Sequence, residues 1–212
     1  MSAVHFVLLA PLLGSIALAL VPYRRAAALG NVAVSAATLA SSLSLFVVEP
    51  YRGTLLFVDD FNIYLVVLTA FVAFTTSLFS SSYIAHEVET GRLTPNELRF
   101  YHAMYQAFVL TLLLALVANN LGLMWVAVEG ATLTTALMVG LYRTHEAIEA
   151  AWKYFILCGV GIALALFGTI LMYLAAQPVM GAGLAAMAWT ELLGPVAQMD
   201  PTILNLAFVF LL

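Results

Sequence analysis

The sequence is dominated by long apolar runs, and their length constrains the fold more than any other feature. About 20 mostly apolar residues suffice for a helix to cross a bilayer core roughly 30 Å thick. Six runs reach that length, so we predict six complete membrane-spanning helices. They cover residues 3–22, 26–48, 61–83, 101–118, 121–141 and 150–176.

The composition agrees with an all-α polytopic membrane protein. Hydrophobic residues make up 64% of the chain and charged residues 8%, whereas a soluble domain carries about 25% charged residues. The net charge of -4 is spread over short loops without a basic run, so no nucleic-acid partner is predicted. Cys158 lies within an apolar run, and because it is the single cysteine, the chain cannot form an internal disulfide. The lipid bilayer is therefore the expected surroundings of the chain.

A seventh helix is predicted to begin at Pro201, because Asp200-Pro201 is a cap followed by a proline at the first helical position. The apolar run from Ile203 to Leu212 reaches only about 15 Å, half the core thickness. We therefore expect a truncated seventh span and interpret the sequence as the N-terminal fragment of a longer protein.

Capping residues indicate where two of the other helices begin. Thr94-Pro95-Asn96-Glu97 has the pattern of a capping box with a proline at the first helical position, so the fourth helix is expected to start before the membrane. Thr144 is in a position to cap the sixth helix. Asn119-Asn120 alone separates the fourth and fifth spans, which predicts that these helices are antiparallel neighbours.

The basic residues predict the orientation in the membrane. Six of the seven Lys and Arg residues fall near odd-numbered connections, and only Arg52 falls near an even one. The six are Arg24, Arg25, Arg92, Arg99, Arg143 and Lys153. Since cytoplasmic loops are enriched in basic residues, the odd connections are predicted to be cytoplasmic and the N-terminus to lie on the outer side.

Glu129 is the residue in the apolar runs that most needs an explanation, because it lies near the middle of the 121–141 span. An ionisable group at that depth normally faces a bundle interior or a water-filled cavity and marks an ion or proton path. The residues at helical spacing around it are small or polar, which is typical of a packed helix face. They are Gly122, Trp125, Glu129, Thr132, Ala136 and Gly140. We expect Glu129 to point inward.

Two interpretations of Glu129 remain open from the residues alone. It is either a permanently protonated acid that hydrogen-bonds a neighbouring helix, or a group whose proton occupancy changes as a cation approaches, since low dielectric favours the neutral form and a cation the anion. Lys153 is the candidate cation within this chain. Glu129 lies about 18 Å of helical rise from the cytoplasmic end, near which Lys153 lies, so coupling would need water or another group. Lys153 also follows Glu149 by four residues, which favours a plain helical ion pair.

Two further polar clusters are weaker candidates for chemistry. One is a solvated helix start whose spacing matches no common zinc motif, and it contains His145, Glu146 and Glu149. The other is predicted to be an interfacial aromatic belt, with a quinone head-group site as the alternative, and it contains Tyr101, His102, Tyr105 and Gln106. The sequence predicts no cofactor, metal or redox centre.

The segment 119–129, together with Tyr142-Arg143-Thr144 and 149–154, resembles the antiporter-like subunits of respiratory complex I and of group 4 membrane-bound nickel–iron hydrogenases. Within that family the chain resembles hydrogenase-4 component F. The resemblance implies a bundle of about fourteen helices built on two inverted repeats. Residues 1–98 would then hold the first three helices and a cytoplasmic loop, and residues 99–212 the start of the first repeat.

The resemblance also implies a function and two site residues. Glu129 and Lys153 match the family's fifth-helix glutamate and the lysine early in its sixth helix, and a broken-helix lysine is expected after Leu212. The implied function is that of a proton-translocating subunit in an energy-converting oxidoreductase of the hydrogenase-4 or NADH-quinone oxidoreductase type. Its partners would be other membrane subunits, in a prokaryotic plasma membrane, with protons rather than sodium as the ion. The alternatives are a stand-alone cation/proton antiporter and a structural membrane scaffold.

Overall fold

The computed structural model of the chain describes residues 3–20 and 24–212 and is all-α, as the apolar runs predict. Within these residues six helices are long and apolar enough to cross a membrane, and a seventh is shorter. In chain order they are α1 (Ala3–Leu20), α2 (Arg24–Leu43), α3 (Asn62–Glu89), α4 (Pro95–Val117), α5 (Leu121–Val139), α6 (His145–Met180) and α7 (Pro201–Leu211). Short 3-10 turns extend α2 and α5, and three one-turn helices lie between α6 and α7.

Two helices extend well beyond the predicted spans. α3 continues from Tyr83 to Glu89, and α6 begins at His145 instead of residue 150 and ends at Met180. The 36 residues of α6 make it about 54 Å long, well above the thickness of a bilayer core. An apolar run predicts only the part of a helix that lies in the hydrocarbon core, so it does not predict helical turns made of polar residues. The predicted end of the first span at Pro22 lies outside the described residues.

The predicted helix starts are confirmed in atomic detail. Glu97 N donates to Thr94 Oγ1 over 3.3 Å and Thr94 N donates back to Glu97 Oε2 over 2.7 Å, which completes the capping box. Thr144 Oγ1 accepts from the backbone of α6, and Asp200 Oδ1 accepts from two backbone N–H groups of α7. Each cap satisfies donors that the first turn of a helix leaves unpaired.

The first four helices form a bundle. α1 packs against α2 and α4, α2 against α3, and α3 against α4. The apolar centre is made mainly of β-branched and leucine side chains, including Val4, Val7, Ile63, Val66, Val109 and Leu113. α5, α6 and α7 continue outward from α4, each packed against its predecessor. The predicted antiparallel pairing of α4 and α5 is confirmed.

The connections gather at two ends of the molecule according to their order in the chain. At the end that carries the even-numbered connections, the Asn119 side chain bonds both Gly53 and Thr190. At the other end, Arg143 Nε lies 3.7 Å from Glu97 Oε1. Which end faces the cytoplasm stays a prediction, as does the division between residues 98 and 99, a point that falls inside α4.

Candidate functional site

α5 positions Glu129 by packing closely between two helices. Its first turn is capped by Asn120, whose Oδ1 accepts from the backbone N–H groups of Gly122 and Leu123. A Cβ atom on Gly130 would lie 2.8 Å from Thr111 Cγ2 of α4, so a glycine is needed where the two helices approach. One turn before Glu129, Trp125 Nε1 donates to the Ile162 carbonyl of α6 over 2.7 Å. Glu129 is therefore held on a helix that is fixed from both sides.

The face of α5 that carries Glu129 is partly covered by the described chain. All six residues of the predicted stripe are buried or half-buried and none is exposed, and Glu129 itself is half-buried. Within the described residues, its carboxylate has neither a hydrogen-bond partner nor an ion-pair partner.

Lys153 does not meet Glu129. Its Nζ donates to Glu149 Oε1, and 73% of the Lys153 side chain is exposed. Trp125 lies opposite Ile162, and Gly140 lies opposite Ala151, whose Cβ would be 3.6 Å from a Cβ atom placed on Gly140. This register places Lys153 about two helical turns, roughly 12 Å, nearer the odd-numbered connections than Glu129. The structure thus contains the plain helical ion pair and does not bring the two predicted site residues together.

A cavity of about 790 Å³ opens between the start of α4, the last turns of α5 and the start of α6. Its wall is mostly apolar and includes Phe100, Leu133 and Trp152, while Glu97 and Arg143 supply polar groups. Leu133 follows Glu129 by one helical turn, a rise of about 6 Å. The cavity therefore extends from the end of the odd-numbered connections to Leu133, one helical turn from Glu129, which does not itself line it.

The prediction of an interfacial aromatic belt on α4 is wrong for Tyr105. That residue is 6% exposed, and its hydroxyl donates to the Ala73 carbonyl of α3 over 2.6 Å. His102 and Gln106 are fully buried as well. The reason is that α4 is the central helix of the bundle, so its polar face packs against α2 and α3 and not against lipid head groups. The buried polar residues of α2 were missed from the sequence, although their helical spacing was a signal.

The polar cluster at the start of α6 is exposed, as expected for a solvated helix start. His145 has a side chain that is 89% exposed, with Nδ1 3.9 Å from Glu149 Oε2. Glu149 thus lies between His145 and Lys153 on one helix face. Ion pairs of this exposed kind contribute little to stability.

Residues 118–211 match the transmembrane family described as NADH:quinone oxidoreductase/Mrp antiporter. The match covers α5, α6 and α7, which include Glu129, Ile162 and Lys153, whereas Thr111 of α4 lies outside it. The match and the all-α fold define the class for this part of the chain: residues 118–211 are similar to antiporter-like transmembrane proteins.

Two individual relatives are similar to this chain. The chain is 51% identical over 206 residues to the hydrogenase-4 component F homolog of Methylacidiphilum infernorum. The aligned segment covers 97% of this chain and 43% of that protein. It is also 34% identical over 82 residues to NADH-quinone oxidoreductase subunit N of Dehalococcoides mccartyi, covering 37% of this chain and 17% of that protein. The chain spans less than half the length of either relative.

A solved structure supports the same fold. A chain in the structure of the membrane-bound sulfane sulfur reductase (MBS), an archaeal respiratory membrane complex, matches with a TM-score of 0.74. The match covers 99% of this chain and 43% of that chain at 18% sequence identity. At that identity the match concerns the arrangement of the helices alone.

Proposed function

We propose that this chain is part of a proton-translocating membrane subunit in an energy-converting oxidoreductase complex of the hydrogenase-4 or NADH-quinone oxidoreductase type. Glu129 would be its proton-handling group. The observation that carries the proposal is a half-buried Glu129 in the middle of an apolar helix, without a partner in the part of the chain that the structure describes and one turn from a residue that lines an open cavity. The 51% identity to a hydrogenase-4 component F homolog supports the kind of complex.

In this mechanism the protein moves protons and no electrons pass through the chain. Water in the cavity of α4, α5 and α6 would bring protons towards Glu129 from the end that holds the odd-numbered connections. We propose that this end is cytoplasmic in a prokaryotic plasma membrane, because six of the seven basic residues lie there. Moving one charge across 100 mV costs about 2.3 kcal/mol, so a conformational change of modest energy in the complex is enough to drive the transfer.

Lys153 would act on Glu129 only at a distance. It is held by Glu149 at the start of α6, and the α5–α6 register separates it from Glu129 by about two turns. We propose that release of Lys153 from Glu149 changes the electrostatic potential along the cavity. Proton uptake at Glu129 and the ion pair on α6 would then be coupled through water.

The test is proton pumping by the complete complex in sealed vesicles. Glu129→Gln keeps the shape of the side chain and removes its ionisation, so we expect assembly to persist and proton translocation to fall at least tenfold. Glu146→Gln is the matched control, because it removes an exposed carboxylate at the start of α6 and should pump like the unmodified complex.

The same assay separates the alternatives. Undiminished pumping by an assembled Glu129→Gln complex would refute the role of Glu129 and favour a structural scaffold. A chain that exchanges cations in vesicles without any partner would favour a stand-alone antiporter. If pumping requires sodium in the buffer, the translocated ion is sodium and not the proton.

A further inference from the structure

A second polar cluster lies inside the α1–α4 bundle, apart from Glu129. It consists of two residues from α2 and two from α4. The two residues from each helix are four positions apart, so they share one face of that helix. The residues are Asn31, Ser35, His102 and Gln106, and all four are 0% exposed. We refer to them as the α2–α4 cluster.

One side-chain amide joins the two helices in this cluster. Gln106 Nε2 lies 2.8 Å from Asn31 Oδ1, 2.9 Å from Ser35 Oγ and 3.2 Å from the Asn31 carbonyl oxygen. Two amide hydrogens are thus offered to three acceptors. The donor side of Gln106 is fully used.

The remaining polar atoms of the cluster have no partner among the described residues. They are Asn31 Nδ2, Gln106 Oε1 and both ring nitrogens, Nδ1 and Nε2, of His102. Turning the Gln106 amide by itself would set its oxygen against the two Asn31 oxygens, and turning both amides would again leave one donor group and one acceptor unpaired. At least one nitrogen of His102 carries a hydrogen in every protonation state, so it always needs an acceptor.

Unpaired buried groups of this kind are costly, and they are commonly satisfied by ordered water. A buried water typically makes about three hydrogen bonds to polar groups that lack other partners. The α2–α4 cluster offers that set, with an amide donor, an amide acceptor and an imidazole on two facing helices. The adjacent ring of Tyr101 lies 5.4 Å from the His102 ring between centroids, in a T-shaped arrangement, and offers the ring nitrogens no partner.

We infer that the α2–α4 cluster is an internal water-binding site, in which at least one ordered water bridges a ring nitrogen of His102 to the free amide atoms of Gln106 and Asn31. The site gives the bundle a buried imidazole that exchanges its proton with bound water. It is independent of the proposed pumping role, because it involves neither α5 nor α6.

The direct test is the full chain in lipid nanodiscs, imaged by cryo-electron microscopy at a resolution that shows ordered water. We expect a density peak within hydrogen-bonding distance of a His102 ring nitrogen and of Gln106 Oε1. A dry site, with the imidazole turned onto a protein acceptor and no density between α2 and α4, would overturn the inference.

A second measurement detects the same water without a map. In water-edited solid-state NMR of protein labelled with ¹⁵N-histidine, magnetisation should pass from water to the His102 ring although the residue is fully buried. The exposed His145 ring is the internal positive control. The His102 ring resonance is identified as the signal that is lost in the His102→Gln variant. If that variant does not fold, backbone assignment of the unmodified protein identifies it. Transfer to His145 without transfer to His102 would contradict the proposal.

Discussion

Asn119 connects three loops at the end of the molecule that holds the even-numbered connections, and Asn119→Ala tests how much this contributes to stability. The residue is 3% exposed. Its Nδ2 donates to the Gly53 carbonyl over 2.8 Å and to Thr190 Oγ1 over 2.9 Å, and its Oδ1 accepts from Thr190 N over 3.2 Å. The backbone of Asn119 also bonds Leu55 and Trp189, and alanine keeps both of those bonds.

The expected magnitude follows from the three bonds that the substitution removes. Each contributes about 1 kcal/mol net, and a group left buried without a partner costs about 1–3 kcal/mol. Because Gly53 and Thr190 lie in loops where water replaces part of the lost bonding, we expect Asn119→Ala to lower the free energy of unfolding by about 2–3 kcal/mol. Thr190→Val removes only the bond to Oγ1 and should cost about 1 kcal/mol.

The assay is equilibrium unfolding of the full chain in mixed micelles, followed by tryptophan fluorescence, since Trp189 adjoins the affected loop. The double variant should cost less than the sum of the two single variants, because both remove the same Asn119–Thr190 bond. A change in unfolding free energy below about 0.5 kcal/mol for Asn119→Ala, the range of an ordinary surface substitution, would refute the reasoning.

Two further substitutions test the packing and the caps. Gly168→Ala places a Cβ atom 2.8 Å from Leu211 Cγ, so it should weaken α6–α7 packing by about 1–3 kcal/mol in the same unfolding assay. Gly161→Ala meets nothing within 4 Å and should not destabilise the protein, because alanine is the better helix former by about 0.5–1 kcal/mol. Equal effects of the two substitutions would contradict the close contact. Thr94→Ala removes the cap of α4 and should cost about 1 kcal/mol, with faster hydrogen exchange at the N–H of Glu97, and unchanged exchange there would count against the capping box.

The helices and their starts were predictable because their causes are local. A run of apolar residues fixes the presence of a span, and Thr94, Thr144 and Asp200 cap through hydrogen bonds to residues two or three positions later. The far end of α3 was not predictable in the same way. It passes through polar residues up to Glu89, where helix continuation depends on contacts with other elements.

The site was predictable in part for the same reason. Glu129 stands out by its chemistry in an apolar run, and the pairing of Lys153 with Glu149 follows from a four-residue spacing. The burial of Tyr105 and His102 depends on which helix takes the centre of the bundle. That choice is made by contacts between residues far apart in the sequence, and a single sequence does not display them.

The buried polar face of α2 has a consequence for how the protein is made. Thr38 and Ser42 bond carbonyls of their own helix, but Asn31 and Ser35 depend on Gln106, which lies more than 70 positions later in the chain. α2 therefore leaves the ribosome well before its partner exists, and its span has a mean hydropathy of 1.4 against 2.5 for α6. We expect membrane insertion of this chain to be cooperative, because the buried polar side chains of α2 gain their partner only after α4 has been made.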